Sequence, residues 1–385
     1  MENGSARRIV AVVLITTAVS GAFVAGRLAR ADGNPSWFAF AGDKFVNAAQ
    51  APPSLYIRHN SYGFDGVGFY RIALEPFTDK KTGYGITFDL PAFRLQRIVY
   101  PLLVRAVTDK NPKAVAWGLI AWNLAGMVGL GLLGALLARD SGRDPIWGLT
   151  LSLLPPFALS LGLDTAEIIA GVFLLSGLLF LRRRRYVWAS AALTVAALTR
   201  ETTLVVSIAG VLVWLWNRVR HSEKKDTAPP WTFLVPMIVQ GAWEIVLWAR
   251  WGKIPLSQAK LVDQGAPFLG FYRAVRDALR FKTALNVFHL VLLITIVFFT
   301  VMVARELRHS LSPLHERVAW VFTAVAMPFY SGGIWFHHWG YMRALSEFLV
   351  LGVLIVLGSK RAATHRLWFW VVVWASIAIQ LALYP

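Results

Sequence analysis

Cysteine is absent from this chain of 385 residues, which excludes disulfides, thiolate metal sites and a cysteine nucleophile and leaves the redox compartment open. Acids are scarce: 21 Asp and Glu stand against 39 Lys and Arg, a net charge of +18. In a soluble chain such an excess raises nucleic acid. Here 56% of the residues are hydrophobic and the mean hydropathy is +0.53, too apolar for a soluble core of this length. The cations are therefore assigned to anionic lipid headgroups and cytoplasmic loops, and no nucleic-acid partner is expected. Internal repeats are missing too, which argues against paired-repeat transporter architectures.

What is there is a succession of apolar runs of membrane-spanning length. The first, Ile9 to Gly26, follows Arg7 and Arg8 and ends near Ala29-Arg30-Ala31, so it reads either as an uncleaved first span, the preferred reading, or as a cleaved signal peptide. Residues 27–113 contain no run long enough to span and form a long first external loop. Leu95 to Val107, short and carrying Arg97 and Arg105, is expected to lie at the interface. Spans are then expected over Ala114–Ala138, Ile146–Leu161 (kinked at Pro155-Pro156), Ile168–Leu181, two short helices within Tyr186–Arg218, Trp231–Ala249, Ala284–Ala304, Arg317–Trp335, Ala344–Gly358 and Leu367–Leu383. That makes about eleven transmembrane helices in a single all-α integral membrane domain, residues 1–385. Arg182–Arg185, the stretch with Arg218, Arg220, Lys224 and Lys225, and Lys360-Arg361 fall inside, with the N-terminus in and the C-terminus out. A second external loop, 250–282, departs from this rule with Arg250, Lys253, Lys260, Arg273, Arg276, Arg280 and Lys282.

The chemistry-bearing residues gather at the outer ends of these spans. Asn60 to Leu103 combines Asp65, in a turn between Gly63 and Gly66, with Tyr62, Tyr70, Arg71, Arg94 and Arg97. Asp65 is equally a helix-capping acid on local grounds. Asp164 and Glu167, three apart, can share a helix face or cap an interfacial turn. Thr199-Arg200-Glu201-Thr202 interrupts an apolar stretch, and Arg343 opens a span from outside. Such a set suits an anionic lipid phosphate: guanidiniums hold the phosphate and a carboxylate accepts a proton from an attacking hydroxyl. Glu244 lies mid-span, and His289 follows Asn286 at helical spacing. His337-His338 are adjacent, and neighbouring positions on a helix point apart, so the sequence supports no metal site and no cofactor.

The segments Y-G-F-D-G-x-x-F-Y-R-I-A, A-L-T-R-E-T and Y-M-R-A-L-S resemble those of polytopic GT-C glycosyltransferases, which use polyprenyl- or dolichyl-phosphate-linked sugar donors. The likeness covers most of the chain in topology, through short motifs. It implies that Asp65 is the catalytic base, that Asp164 or Glu167 is a second acid, and that Arg200 and Arg343, with Arg250 and Lys253, hold the donor phosphate. Arg71, Arg94, Arg97, Tyr62, Tyr70 and Glu201 support them. Unlike many members, the chain has Gly66 rather than a second acid after Asp65, and it lacks a large C-terminal soluble domain. The implied function is inverting transfer of a sugar to a lipid or glycan acceptor on the non-cytoplasmic side of the plasma (inner) membrane. The rivals are a carrier or flippase for the same lipid-linked sugar, a membrane O-acyltransferase with a histidine base, and a structural subunit.

Overall fold

The computed structural model describes residues 2–220, 228–255, 257–258, 264–280 and 283–383. Lys224, Lys225, Lys260 and Lys282, among the loop cations anticipated above, lie outside the described residues. Six helices among the described residues are long and apolar enough to cross a membrane, and two bent pairs raise this to eight if each pair is one span. The expected spans at Ile168–Leu181, at the start of Tyr186–Arg218 and at Arg317–Trp335 appear as shorter helices of 16, 14 and 13 residues. Length and composition therefore support a helical membrane protein of six to eight candidate spans.

In chain order, α1 (Glu2–Arg30) leads into a folded cap built from residues 31–111. The cap holds two parallel strands, β1 (Ala41–Gly42) and β2 (Ile57–Arg58), then α2 (Asp65–Leu74) and the antiparallel pair β3 (Thr82–Gly83) and β4 (Ile86–Thr87). It ends in α3 (Pro91–Leu95) and α4 (Val99–Thr108). The segment expected as one interfacial helix is thus two, because the helical hydrogen bonding lapses around Arg97. This cap has its own apolar core, in which Tyr70, Leu74, Ile86 and Tyr100 pack against Leu119. Buried Arg71 fastens the β3–β4 turn, donating to the Ile86 carbonyl at 3.0 Å and to the carbonyls of Lys80 and Lys81.

The cap docks on α5 (Pro112–Asp140), the longest helix together with α1. Asn111 caps it, accepting from the backbone of Lys113 and Ala114 at 3.0 Å each, and Pro112 takes the first-turn position that needs no donor. Tyr100 Oη donates to the Leu119 carbonyl at 2.9 Å and accepts from Asn123 Nδ2 at 2.9 Å, so the cap is tied to α5 through buried polar bonds. The next span is broken. α6 (Leu149–Ser152) and α7 (Pro155–Leu163) meet at 54°. Pro155 supplies no N–H and forces Leu154 into an extended conformation, φ −80° and ψ 145°, so the anticipated kink is a complete interruption.

The remainder is α8 (Glu167–Arg182), α9 (Tyr186–Thr199), α10 (Leu204–Val219), α11 (Trp231–Trp251), α12 (Leu269–Arg280) and α13 (Ala284–Glu306). They are followed by α14 (Leu314–Ala326), α15 (Gly332–Trp335), α16 (His338–Ala344), α17 (Ser346–Leu357) and α18 (Trp368–Leu383). Helices α9 and α10 are the anticipated pair meeting at Arg200-Glu201, and α16 meets α17 at 56°. Every residue of α17 is buried, which makes it the axis of the bundle. At the end away from the cap, Arg182 grips Glu316 with two bonds of 2.8 and 2.6 Å.

Candidate active site

Asp65 is the first residue of α2, and the chain reaches it under tight constraints. Gly63 has φ +72°, and a Cβ there would lie 2.7 Å from the Gly42 nitrogen. Gly66 is helical, but a Cβ on it would lie 2.3 Å from the Leu163 carbonyl oxygen and 2.8 Å from that of Ala39. Gly63 therefore presses the approach to α2 against residues 40–42, Gly66 presses the start of α2 against the end of α7, and together they set the depth of Asp65. Gly66→Ala should cost about 1–3 kcal/mol, since both neighbours are backbone and cannot rotate away. Thermal unfolding of the purified protein checks this, and a shift within error would mean that α7 gives way.

The Asp65 carboxylate does not cap its helix: Phe64 occupies that position, with no side-chain cap bond. Instead it joins two guanidiniums. Arg94 of α3 donates to Oδ1, and Arg343 of α16 donates to Oδ2 at 2.8 Å. Asp89 holds Arg94 from behind, at 2.9 Å to Nε and 2.7 Å to Nη2. Arg343 also donates through Nε to Glu167 Oε1 at 2.8 Å, and Arg200 Nη1 reaches the same oxygen at 2.7 Å. Arg200 Nε lies 3.4 Å from Glu347, which accepts from Thr202 at 2.9 Å. Arg97 stands in the break between α3 and α4 and pairs with Glu201 through bonds of 2.9 and 2.7 Å. Five carboxylates and four guanidiniums are thus already matched, so an incoming anion has to exchange with a carboxylate rather than fill a vacancy.

Exposure grades along this network. The Asp65 and Arg94 side chains are 23% and 24% accessible, whereas Arg343 is 8%, Arg200 5% and Glu167 2%. The open end faces a small cleft lined by Asp65, Gly68, Phe69, Ile72, Phe93, Arg94 and Arg97. Burial alone pushes the Asp65 carboxyl up, but Arg94, Arg343 and Arg97 outweigh it and hold the group well below the usual carboxylate range. Phe64 supports Arg343 from below, its ring 4.8 Å from the guanidinium carbon, and Trp339 meets the Phe64 and Phe40 rings edge-on at 5.8 and 5.7 Å.

Of the residues singled out in the sequence, Asp65, Arg94, Arg97, Glu167, Arg200, Glu201 and Arg343 converge. Others do not. Asp164, the alternative second acid, is fully buried in a left-handed turn (φ 48°) after α7, and neither carboxylate oxygen has a hydrogen-bond partner among the described residues. Arg250 sits at the end of α11 and donates to the Phe77 carbonyl at 2.8 Å; Lys253 is exposed beyond it. Tyr70 is buried in the cap core, and Arg71 fastens the β3–β4 turn. Tyr62 is 72% exposed, its ring 6.1 Å from Phe45.

Sequence reasoning missed Asp89 and Glu347. Both had a local signal: Asp89 precedes the Leu90-Pro91 helix start that carries Arg94, and Glu347 follows Arg343 by one helical turn in an apolar stretch. It also missed the relation of His289 to His337 and His338, whose rings come together across 49 residues of sequence. No family model matches the chain, and neither a curated protein nor a solved structure matches it.

Proposed function

We propose that this protein is a membrane glycosyltransferase of the GT-C type. It moves a sugar from a polyprenyl-phosphate donor to a lipid or glycan acceptor at the non-cytoplasmic face of the plasma (inner) membrane. The observation that carries the reading is a partly open carboxylate, Asp65, held between Arg94 and Arg343 beside a cleft that Arg97 also lines. The about eleven spans of this reading require the short apolar helices α8, α9 and α14 to cross as well.

The donor phosphate enters by exchange. Its oxygens take the guanidinium faces that Asp65 occupies, and charge-assisted bonds to phosphate replace those to carboxylate. Freed from two cations, the Asp65 carboxylate becomes more basic and accepts the proton of the acceptor hydroxyl. The acceptor oxygen bonds to the anomeric carbon as the bond from that carbon to the phosphate oxygen breaks. The lipid phosphate leaves with the electron pair, stabilised by Arg94 and Arg343, and the configuration inverts. Donor binding thereby switches on the base. Phe69, Ile72 and Phe93 give the cleft its apolar side.

Within this reading Arg200 is a positioning residue. It is buried, engaged by Glu167 and close to Glu347, and its Nη2 donates to the Arg343 carbonyl at 2.8 Å, so it aims Arg343 without reaching the cleft. Glu167, the second acid, acts the same way between the two guanidiniums.

The test is sugar transfer by the purified protein in nanodiscs from synthetic polyprenyl-phosphate sugars, with wild type and Asp65→Asn compared. Donor-dependent release of lipid phosphate by the wild type alone supports the assignment. Lipid phosphate that binds but never turns over, with any donor, moves the assignment to a carrier.

A further inference from the structure

A second cluster lies beside the site, where α13 meets the turn into α16. His337 is the N-cap of α16, in an extended conformation with φ −134° and ψ 140°, and His338 is its first helical residue. Two adjacent helical positions would point about 100° apart. Because only one of the pair is helical, the rings stack instead, with centroids 4.5 Å apart and planes within 26°. This corrects the expectation that adjacent histidines diverge. His289, near the start of α13, brings a third ring 5.0 Å from that of His338 and 5.5 Å from that of His337. One ring nitrogen from each of the three lies within 4.8 Å of the others.

The hydrogen bonding of this cluster is frustrated in a way a cation relieves. Gln380 Oε1 lies 2.8 Å from His338 Nε2 and can only accept, so the Nε2 carries the proton and Nδ1 of the neutral ring is bare. That bare Nδ1 faces His289 Nε2 at 2.8 Å, while the backbone N–H of His338 points at the same Nε2 at 3.3 Å. His289 Nε2 cannot donate to the one and accept from the other. If it accepts, two lone pairs oppose each other; if it donates, the backbone N–H loses its acceptor. A metal ion between the rings uses both lone pairs and so removes their opposition, giving up only the long backbone bond to His289 Nε2 that the donating tautomer also gives up. It also matches the recurrent arrangement in which a ligating histidine donates its other N–H to a carbonyl, here that of Gln380 on α18. In a tetrahedral zinc site, ligand nitrogens about 2.0–2.1 Å from the ion stand about 3.3 Å apart, so the close pair opens by roughly half an ångström and the wider separation, up to 4.8 Å, closes by up to about 1.5 Å.

We propose that His289, His337 and His338 form a binding site for a divalent transition-metal ion of the zinc class, with one coordination position left to water. Three imidazoles and no thiolate or carboxylate suit zinc or its neighbours in the first row and disfavour magnesium and calcium. His337 is the weakest of the three ligands, because its Nδ1 already accepts the Trp339 backbone N–H at 3.2 Å and ligation disturbs that cap. The ion staples α13 to α16, the helix that carries both Trp339 and Arg343 to Asp65.

The experiment uses the full chain in nanodiscs with any histidine tag removed, stripped with chelator and then titrated with Zn2+ against a chromophoric competitor. One equivalent of Zn2+ per chain is expected. His338→Gln should weaken binding by at least about 100-fold, Gln380→Ala by about 10-fold and His337→Ala by less than His338→Gln. Co2+ added to the stripped wild type should give the intense visible bands of a four-coordinate ion, a readout that needs no variant to fold. Less than one-tenth of an equivalent bound, a six-coordinate Co2+ spectrum, or affinity unchanged in both His289→Gln and His338→Gln would overturn the site. None of these readouts uses sugar transfer, so they stand apart from the test of the proposed function.

Discussion

Asp65→Asn should lower sugar transfer by about 10²–10⁴-fold, the range that loss of a positioned general base removes, while the protein stays folded. The substitution keeps the size of the side chain and removes only its capacity to accept a proton and its charge. Folding survives because Asp89 still faces Arg94 and Glu167 still faces Arg343, and the Asp65 side chain is 23% accessible, so solvent screens what is lost. The same variant should bind the donor phosphate more tightly than wild type, because no carboxylate then competes for Arg94 and Arg343. That pairing of opposite effects is the discriminating result. Unchanged transfer would remove the base assignment, and weaker donor binding would remove the exchange.

The position of Asp65 among cations also fixes a pH dependence. Its folded pKa lies below its unfolded value, so its contribution to stability is present above the ordinary carboxylate value of about 3.9 and is lost as pH falls through the lower folded value. In the free protein the group is ionised throughout the range above about pH 4, and kcat/KM should show no acid limb from it there. Once the phosphate holds the arginines, protonation of Asp65 becomes easier. The acid limb of kcat, which reports the bound complex, should therefore lie at higher pH than that of kcat/KM. Coincident limbs in the two profiles would mean that donor binding leaves Asp65 paired.

Much of this was legible because membranes make local sequence decisive. An apolar run long enough to span announces itself, Pro155-Pro156 cannot continue a helix, and Thr199-Arg200-Glu201-Thr202 has no place in the middle of one. The placing of Asp65 among arginines was legible for the same reason, since it is an acid between glycines amid rings and arginines. Partner choice was not legible, because it depends on tertiary placement: Arg343 meets Asp65 across 278 positions, and Arg94 does so only because α3 folds back over α2. Arg250, in the last turn of α11, and Lys253, just past it, carry the same charge but stand outside the network. Asp164 and Glu167 shared a helix face only on the assumption of one continuous helix. The left-handed turn at Asp164 separates them, sending Glu167 to the arginines and leaving Asp164 near Arg27. His337 and His338 misled in the opposite sense, since a cap residue and a helical residue are adjacent in sequence but not bound by helical geometry.

Glu167→Ala should be the most destabilising substitution in the network, at about 3–5 kcal/mol. Its Oε1 accepts from both Arg200 and Arg343, its Oε2 accepts from Thr165, and its side chain is 2% accessible, so water cannot take its place. The variant leaves Arg200 with Glu347 at 3.4 Å and Arg343 with only the more open Asp65. Most of the cost is therefore uncompensated buried charge rather than the lost bonds themselves, and that distinction is measurable. Removing Arg200 as well, in Glu167→Ala/Arg200→Met, should recover part of the loss, giving a double variant more stable than the sum of the two single effects by roughly 1–3 kcal/mol. Unfolding midpoints of the four proteins in one detergent close the cycle. Strict additivity would mean that Arg200 and Glu167 do not act on each other, and Arg200 could then no longer be assigned the task of aiming Arg343 through their shared carboxylate. A single-variant loss below about 1 kcal/mol would show that water reaches the buried end of the network. The gradient from an open Asp65 to a closed Glu167 would then have to be given up.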